Sequence, residues 1–169
     1  MSSEIRLTNT SYIVLGMLKA AGESTPYDLK LGVAASLGNF WSLQHAQLYA
    51  EPERLAAAGY LSERREEKGR RRKHYKITAK GRRALEDWLG ETTDELPELR
   101  DKALLKVFFG ADPGPLATRQ LAAHRAKLEE YVRIVELAGE HIPKGVRITL
   151  EAGIDNEREW LRFWSGLEE

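Results

Sequence analysis

The 169-residue sequence contains no cysteine. This absence excludes a disulfide framework, a zinc site with thiolate ligands and a catalytic thiol. No stretch approaches the ~18 consecutive apolar residues that a membrane-spanning helix requires. The N-terminal residues 1–6 also lack the basic and then apolar pattern of a secretory signal peptide. These absences favour a protein that works in the cytoplasm and has no membrane partner.

The motifs of common enzymes are also missing. The four histidines, at positions 45, 74, 124 and 141, include no pair with i,i+4 spacing, so we expect no metal site. There is no G-x-S-x-G nucleophile elbow, no phosphate-binding P-loop and no dinucleotide-binding glycine motif between a strand and a helix. We therefore predict a protein that is not an enzyme, with no catalytic residues and no cofactor.

The net charge of zero conceals an asymmetry along the chain. Residues 1–90 contain 15 Lys and Arg against 10 Asp and Glu, a balance of +5. Residues 91–169 contain 11 against 16, a balance of −5. A basic half next to an acidic half indicates two tasks, one of which can be binding to a polyanion. The alternative is that the solvated surfaces of the two halves simply differ in charge, without any role in binding.

The N-terminal half predicts three helices in succession. A helix is expected at 8–20, where Ile13, Leu15, Met17 and Leu18 lie in a nearly continuous apolar run that is typical of a buried helix. A second helix is expected after Thr25, which can cap free N–H groups, with Pro26 at the first helical position. A third helix is expected to begin at a Ser42 cap and to end at about Ala58, just before a glycine.

Two short strands and a polar tip follow these helices. Residues 60–65 and 73–78 alternate as a half-buried hairpin does, and Gly69 between them can adopt a positive φ. The segment 64–76 contains eight Lys or Arg and two Glu, with four consecutive cations at 70–73. These four cations repel one another and so do not favour folding. Bound to DNA, they displace condensed counterions, which gives a salt-dependent affinity. The alternative is a solvated loop with no role in DNA binding.

Three helices followed by a basic hairpin are the order of a winged helix-turn-helix, whose third helix enters the major groove. Glutamine can bond adenine, serine can reach a base or a phosphate, and tyrosine donates to phosphate. For Tyr49 the alternative is a core aromatic, and for Gln44 and His45 it is an ordinary exposed surface. Arg54 is expected to form a phosphate contact or a surface ion pair. The predicted DNA-binding residues are Ser42, Gln44, His45, Gln47 and Tyr49 in the third helix, and Lys68, Arg70, Arg71, Arg72, Lys73 and His74 in the hairpin, which we call the wing.

The second half of the chain predicts a separate helical domain. An acidic, proline-containing segment at 91–98 marks a linker, so we expect one domain at 1–90 and another at 99–169. Glycine and proline between the apolar segments indicate turns. Helices are expected at about 99–109, 116–138 and 146–167, with a turn at 110–115.

Apolar stripes on the last two helices predict a dimer. Trp160, Phe163, Trp164 and Leu167 lie at i, i+3, i+4 and i+7, on one helical face. Each large aromatic can bury ~150–250 Å², and a two-fold axis would let this face meet a second copy. The alternatives are packing against the chain's own first helix and the lining of an inducer pocket. The predicted dimerisation residues are Leu128, Val132, Val135, Trp160, Phe163, Trp164 and Leu167.

These features together resemble the PadR family of bacterial transcriptional regulators. The matching stretches cover about residues 10–90 in family order, and the second half resembles the C-terminal helical dimerisation domain of many members. The Gln-Leu-Tyr motif at 47–49, combined with that second half, is the more specific part of the resemblance. The matching stretches are residues 12–18, 25–29, 47–55, 59–61 and 72–81 in the first half, and the resemblance of the second half is carried by residues 99–102 and 105–110.

The resemblance implies a fold that is mainly α with a small β-hairpin, made of a winged helix-turn-helix domain and a C-terminal helical dimerisation domain. It implies a homodimeric repressor on a palindromic double-stranded DNA operator, with the third helices in successive major grooves and the wings on flanking backbone. Gln47 and Tyr49 match recognition-helix positions, and Lys73 and His74 match the basic end of the wing. Members respond to small phenolic or drug-like molecules, so the resemblance also implies a small aromatic or drug-like inducer.

Pro52 departs from the family pattern, which more often has a residue that continues the helix. Proline removes one backbone N–H and crowds the preceding turn, so the third helix is expected to bend or break near Glu51. The alternative function is a winged-helix protein-interaction adaptor that does not bind DNA. An adaptor would tend to expose apolar side chains on this helix, where the sequence has polar ones.

Overall fold

The structure is a computed structural model that describes residues 5–69 and 71–168. Contacts within the chain divide it into two compact units, Met1–Glu95 and Leu96–Glu169, which we call the N-terminal and the C-terminal unit. The boundary falls inside the acidic segment 91–98. Within the described residues, no helix is both long and apolar enough to cross a membrane.

The N-terminal unit consists of helices and one two-stranded antiparallel sheet. The strand register runs from Leu61 opposite Ile77 to Arg65 opposite Lys73. A short 3-10 turn, Leu37–Asn39, follows the second helix. The elements are α1 (Asn9–Ala21), α2 (Pro26–Ser36), α3 (His45–Ala57), β1 (Leu61–Arg65), β2 (Lys73–Ile77) and α4 (Ala79–Gly90).

Local capping explains where α1 and α2 begin. The backbone N–H of Thr8 donates to Ser11 Oγ at 2.8 Å, and the Ser11 N–H donates back to Thr8 Oγ1. Thr25 and Asp28 make the same reciprocal pair before α2, with Pro26 at the first helical position. These pairs satisfy N–H groups that have no partner within the helix.

The beginning of α3 differs from the sequence prediction. The helix begins at His45, and Gln44, with extended backbone angles, is its capping residue. The Gln44 N–H donates to Gln47 Oε1 at 3.2 Å, so a glutamine three residues into the helix supplies the acceptor. The prediction of a Ser42 cap was wrong, because Ser42 lies two residues before the cap in a segment without regular structure.

The third helix also does not break at Pro52. It continues from His45 to Ala57 with Pro52 inside it, and the proline ring is fully buried. Burial of the ring and neighbouring side chains therefore offsets the loss of one backbone donor. The prediction that the helix breaks near Glu51 was therefore wrong.

The hairpin is joined to the helices through its inner face. Tyr75 and Ile77 are buried, whereas Lys76 between them is exposed. Ser24, just before α2, exchanges two backbone hydrogen bonds with Tyr75, at 3.0 and 2.9 Å. At the tip, Gly69 adopts a positive φ of 74° as the sequence predicted. The base of the wing is therefore held in the core, and its tip extends into solvent.

In the described residues of the C-terminal unit there are three α-helices, and each begins at a different residue from the predicted one. Asp101 caps the first by accepting the N–H groups of Ala103 and Leu104, so this helix begins three residues later than expected. Asp112 caps the second, which begins inside the predicted turn because proline is tolerated in a first helical turn. The elements are α5 (Lys102–Phe108), α6 (Pro113–Ala138), a 3-10 turn (Gly139–His141) and α7 (Lys144–Ser165).

Trp164 fills the core of the C-terminal unit. Its side chain is 0% exposed and packs with Ala103 of α5 and with Ala117 and Leu121 of α6. A side chain with no exposed surface cannot contact a partner, so its predicted place at a dimer interface was wrong. Within the C-terminal unit, Trp164 of this stripe therefore packs on α5 and α6 of its own chain.

The other predicted dimerisation residues keep some surface. Phe163 is 41% exposed, and Trp160 and Leu167 are partly buried against the Trp164 cluster. The remaining three, on α6, are half-buried: Leu128, Val132 and Val135.

Candidate nucleic-acid interface

The predicted recognition residues lie together around the first turns of α3. Leu48 is buried in the core of the N-terminal unit and holds the helix in place. Tyr49 is 45% exposed, which excludes the alternative of a core aromatic. All five predicted side chains are exposed, two before the helix and three within it: Ser42, Gln44, His45, Gln47 and Tyr49.

The start of α3 is chemically suited to an anion. Unpaired N–H groups and the helix dipole make a helix N-terminus attractive to phosphate. Gln47 is partly used for structure, because its Oε1 accepts the Gln44 N–H. An amide oxygen has two lone pairs, so Gln47 can keep this bond and still contact a base edge.

The cations at the base of the wing are paired with carboxylates of the same unit. Lys73 forms an ion pair with Glu53 of α3 and lies 3.5 Å from Glu63. The hydrogen bond from Lys73 holds the pKa of the Glu53 carboxyl below its usual value. His74 Nε2 lies 3.0 Å from Glu66, and this contact lowers the pKa of Glu66. The Lys73–Glu53 pair connects the wing to α3 and reduces the net charge at the base of the wing, whereas the His74–Glu66 contact lies within the hairpin.

The tip of the wing carries the cations that are available to a polyanion. Lys68 and Arg71 are exposed, and across residues 5–69 and 71–168 no ion pair within 4.0 Å involves them. Arg72 is exposed and lies 3.6 Å from Glu66. Arg70, also predicted as a DNA contact, lies outside the described residues. The positive charge of the wing is therefore concentrated at its end.

A partly buried polar cluster behind α3 was not predicted as a whole. Arg54 donates to both carboxylate oxygens of Glu51, at 3.0 and 2.7 Å, so it forms the ion pair that was one of its two alternatives. Ser11 of α1 donates to Glu51 Oε1 at 2.6 Å. Burial raises the pKa of Glu51, but the bonds from Arg54 and Ser11 outweigh it and leave this pKa below its usual value. The i,i+3 spacing of Glu51 and Arg54 could have indicated the pair, but nothing local indicates Ser11.

No group of three or more histidine, aspartate and glutamate side chains is placed to hold a metal ion in the part of the chain that the structure describes. The chemistry of this surface is therefore that of exposed polar side chains, a helix N-terminus and a cationic tip.

Comparison with known proteins gives matches along most of the chain. Residues 14–87 match the transcriptional regulator PadR-like family, and residues 99–165 match the virulence activator alpha C-term family. The negative transcriptional regulator PadR of Bacillus subtilis (strain 168) is 31% identical over 126 residues, which cover 70% of this chain and 69% of that protein.

Solved structures agree over nearly the full length. The crystal structure of B. subtilis PadR in complex with operator DNA has a TM-score of 0.80 at 28% identity, covering 92% of this chain and 95% of that one. The same protein in complex with p-coumaric acid has a TM-score of 0.76 at 25% identity, covering 95% and 96%. The predicted fold class, mainly α with a small β-hairpin, is confirmed, and the chain belongs to the PadR-like family of transcriptional regulators.

Proposed function

We propose that this regulator is a homodimeric, sequence-specific DNA-binding repressor that works in the cytoplasm and is released from its operator by a small aromatic ligand. The observation that carries the proposal is the N-terminal unit itself. Exposed polar side chains at the start of α3 and the cationic tip of the wing lie on a fold that, in B. subtilis PadR, was crystallised with operator DNA.

The two surfaces suit different parts of a duplex. Gln47 and its neighbours have donors and acceptors for base edges in the major groove, where sequence is read. Lys68 and Arg71 at the tip are exposed cations on a hairpin beside the recognition helix, which suits contacts to phosphate. The division predicts that α3 supplies specificity and the wing supplies salt-dependent affinity.

A protein-interaction adaptor is the second candidate, and two exposed aromatic side chains favour it. Phe40 is 59% exposed and Trp41 is 38% exposed, just before α3. Such side chains are common in protein interfaces. The polar surface of α3 and the cationic tip are better suited to DNA, so we place the adaptor second.

One experiment separates these candidates. The purified protein is mixed with fragments of the genome that encodes it, and the protected DNA is sequenced. A repressor is expected to protect a small set of palindromic sites, its own promoter among them, and to release them when p-coumaric acid or another phenolic acid is added. Protection of no site would contradict DNA binding and favour the adaptor. Sites that no phenolic acid releases would contradict only the proposed ligand class.

Replacing Lys68 and Arg71 together with alanine is expected to weaken binding to all DNA sequences alike. Two lost phosphate contacts should lower the slope of log affinity against log salt by roughly 1.8. The control is Arg64→Ala on β1, because Arg64 Nε already donates to Glu23 at 2.9 Å. Titrations of the operator and of random DNA at several salt concentrations measure the slopes. An unchanged slope for the double variant would show that the tip does not touch DNA.

Replacing Gln47 with alanine is expected to cost about 1–3 kcal/mol on the operator and little on random DNA, because a base contact is lost. The substitution also removes the acceptor of the Gln44 N–H. Thermal unfolding is therefore measured in parallel, so that a weaker helix start is not mistaken for a lost contact. Equal losses on both DNAs would assign Gln47 to phosphate contact or to structure.

A further inference from the structure

The cluster behind α3 connects the recognition helix to the start of α1. We call Ser11, Glu51 and Arg54 the α1–α3 brace. Ser11 is 0% exposed, and the Glu51 side chain is 11% exposed. Arg54 donates to both oxygens of Glu51, to Ser11 Oγ at 3.1 Å and to the carbonyl of Arg6 at 3.1 Å. Every guanidinium nitrogen is therefore engaged.

The serine is the junction of this network. Its hydroxyl donates to Glu51 Oε1 at 2.6 Å and accepts from Arg54 and from the backbone N–H of Thr8. The same oxygen thus takes part in the cap of α1 and in the attachment of α3. Movement of α3 along or around its axis would break its bonds to this hydroxyl.

The brace spans the one position of α3 that cannot make a normal helical bond. Pro52 has no N–H, so the carbonyl of Leu48 lacks its i→i+4 backbone donor. Glu51 and Arg54 lie on either side of Pro52. The missing bond starts at Leu48, between Gln47 and Tyr49, so it would have joined the first turn of the helix to the next one.

We propose that the α1–α3 brace positions the recognition end of α3 for DNA, because its side-chain bonds to α1 hold the helix on both sides of Pro52, where one backbone bond is missing. The inference rests on the proposed function as a DNA-binding regulator. The three residues of the brace are positioning residues, because they act through the exposed side chains of α3 and do not contact DNA themselves.

A role in stability alone would have a different signature. Replacing a buried ion pair with an uncharged one often changes stability little, whereas removing one partner leaves a buried charge without compensation. If the brace served only stability, its loss would lower the unfolding temperature and leave the DNA preference of the folded molecules unchanged. A positioning role instead lowers the ratio of operator affinity to random-DNA affinity.

The test uses Glu51→Gln in the full-length protein, below its unfolding transition. We expect the ratio of operator to random-DNA affinity to fall about tenfold, with the salt slope unchanged. The matched control is Glu159→Gln on α7, which removes the carboxylate of an exposed pair with Arg162 at the same i,i+3 spacing. The control is expected to leave the ratio unchanged.

A second background tests the link to proline. Pro52→Ala restores the N–H that can bond the Leu48 carbonyl, so Glu51→Gln should then lower the ratio less than about threefold. Equal losses in both backgrounds would overturn the role assigned to Pro52. If Pro52→Ala does not fold, the ratio measured for Glu51→Gln in the native background decides alone.

Different results would contradict the brace proposal and the proposed function on which it rests. If the unmodified protein binds operator and random DNA equally, the proposed function is wrong. If the unmodified protein prefers its operator and Glu51→Gln keeps that preference in full, only the brace proposal is overturned, whatever the change in unfolding temperature.

Discussion

Replacing Trp164 with alanine is expected to lower the free energy of unfolding of the C-terminal unit by about 3–5 kcal/mol. The side chain is 0% exposed and is surrounded by residues of α5 and α6. Its loss removes apolar contacts and leaves a cavity that these helices can fill only in part. The control is Phe163→Ala at the preceding position. Phe163 is 41% exposed, so its replacement should lower the free energy of unfolding much less.

Calorimetry is the measurement of choice, because two compact units can unfold in two transitions and a single midpoint would then mislead. The C-terminal transition is expected to move to lower temperature for Trp164→Ala, and the N-terminal one to stay. If Trp164→Ala kept its stability but dissociated into monomers, the core position of Trp164 would be contradicted. The result would instead support the dimer interface predicted from the sequence.

Local chemistry explains why the N-terminal unit could be predicted in detail. The cap at Thr25 needs only Pro26 and Asp28 close by in the sequence. The hairpin needs only alternation and a glycine with positive φ, which Gly69 supplies. In each case the residues that determine the element lie within a few positions of one another.

The errors arose where several local solutions competed. Ser42 is a better capping residue than Gln44 by type, yet Gln47 lies at the right distance to support Gln44 instead. The segment 110–115 has the composition of a turn, but prolines also suit the first turn of a helix, and Asp112 supplies the cap. Composition alone cannot rank such alternatives.

The position of Trp164 could not be predicted for a different reason. Helical spacing identifies which residues share a face, but it does not say what that face touches. The same i, i+3, i+4, i+7 stripe suits a partner subunit, α1 or α6. Only the path of the chain after Gly139 brings α7 onto α6 and buries the tryptophan.

The α1–α3 brace is beyond local prediction as well. Glu51 and Arg54 are neighbours on one helix, but Ser11 is 40 positions from Glu51 in the sequence. The expected break at Pro52 followed correctly from local rules, and it failed because burial and long-range bonds outweigh one lost donor. A local rule that fails this close to the predicted DNA-binding surface is consistent with a functional reason for keeping the proline.

The predicted dimer now depends on α6. A surface groove there is lined by Leu128, Val132, Glu129, Arg133 and Glu136. Its two apolar residues are half-buried and lie outside the cluster around Trp164. A two-fold interface uses the same patch on both copies, so an apolar groove with charges of both signs can pair with itself.

Replacing Leu128 and Val132 together with aspartate is therefore expected to convert the dimer into a monomer. Two acids facing their own copies across the axis repel each other and would be costly to desolvate. A monomer binds one half-site only, so operator affinity should fall by about 10²–10⁴. Light scattering measures the mass, and titration of the operator measures the affinity.

The matched control is Ala123→Asp, which places the same charge on an exposed position of α6. By helical periodicity this position lies on the opposite side from Val132. A chain truncated after Gly145 would be a weaker test, because it also removes Trp164 from the core. The control should remain dimeric with full affinity, since its charge stays in water. If the Leu128 and Val132 variant does the same, α6 is not the interface, and the partly exposed Phe163 on α7 becomes the remaining predicted contact to test.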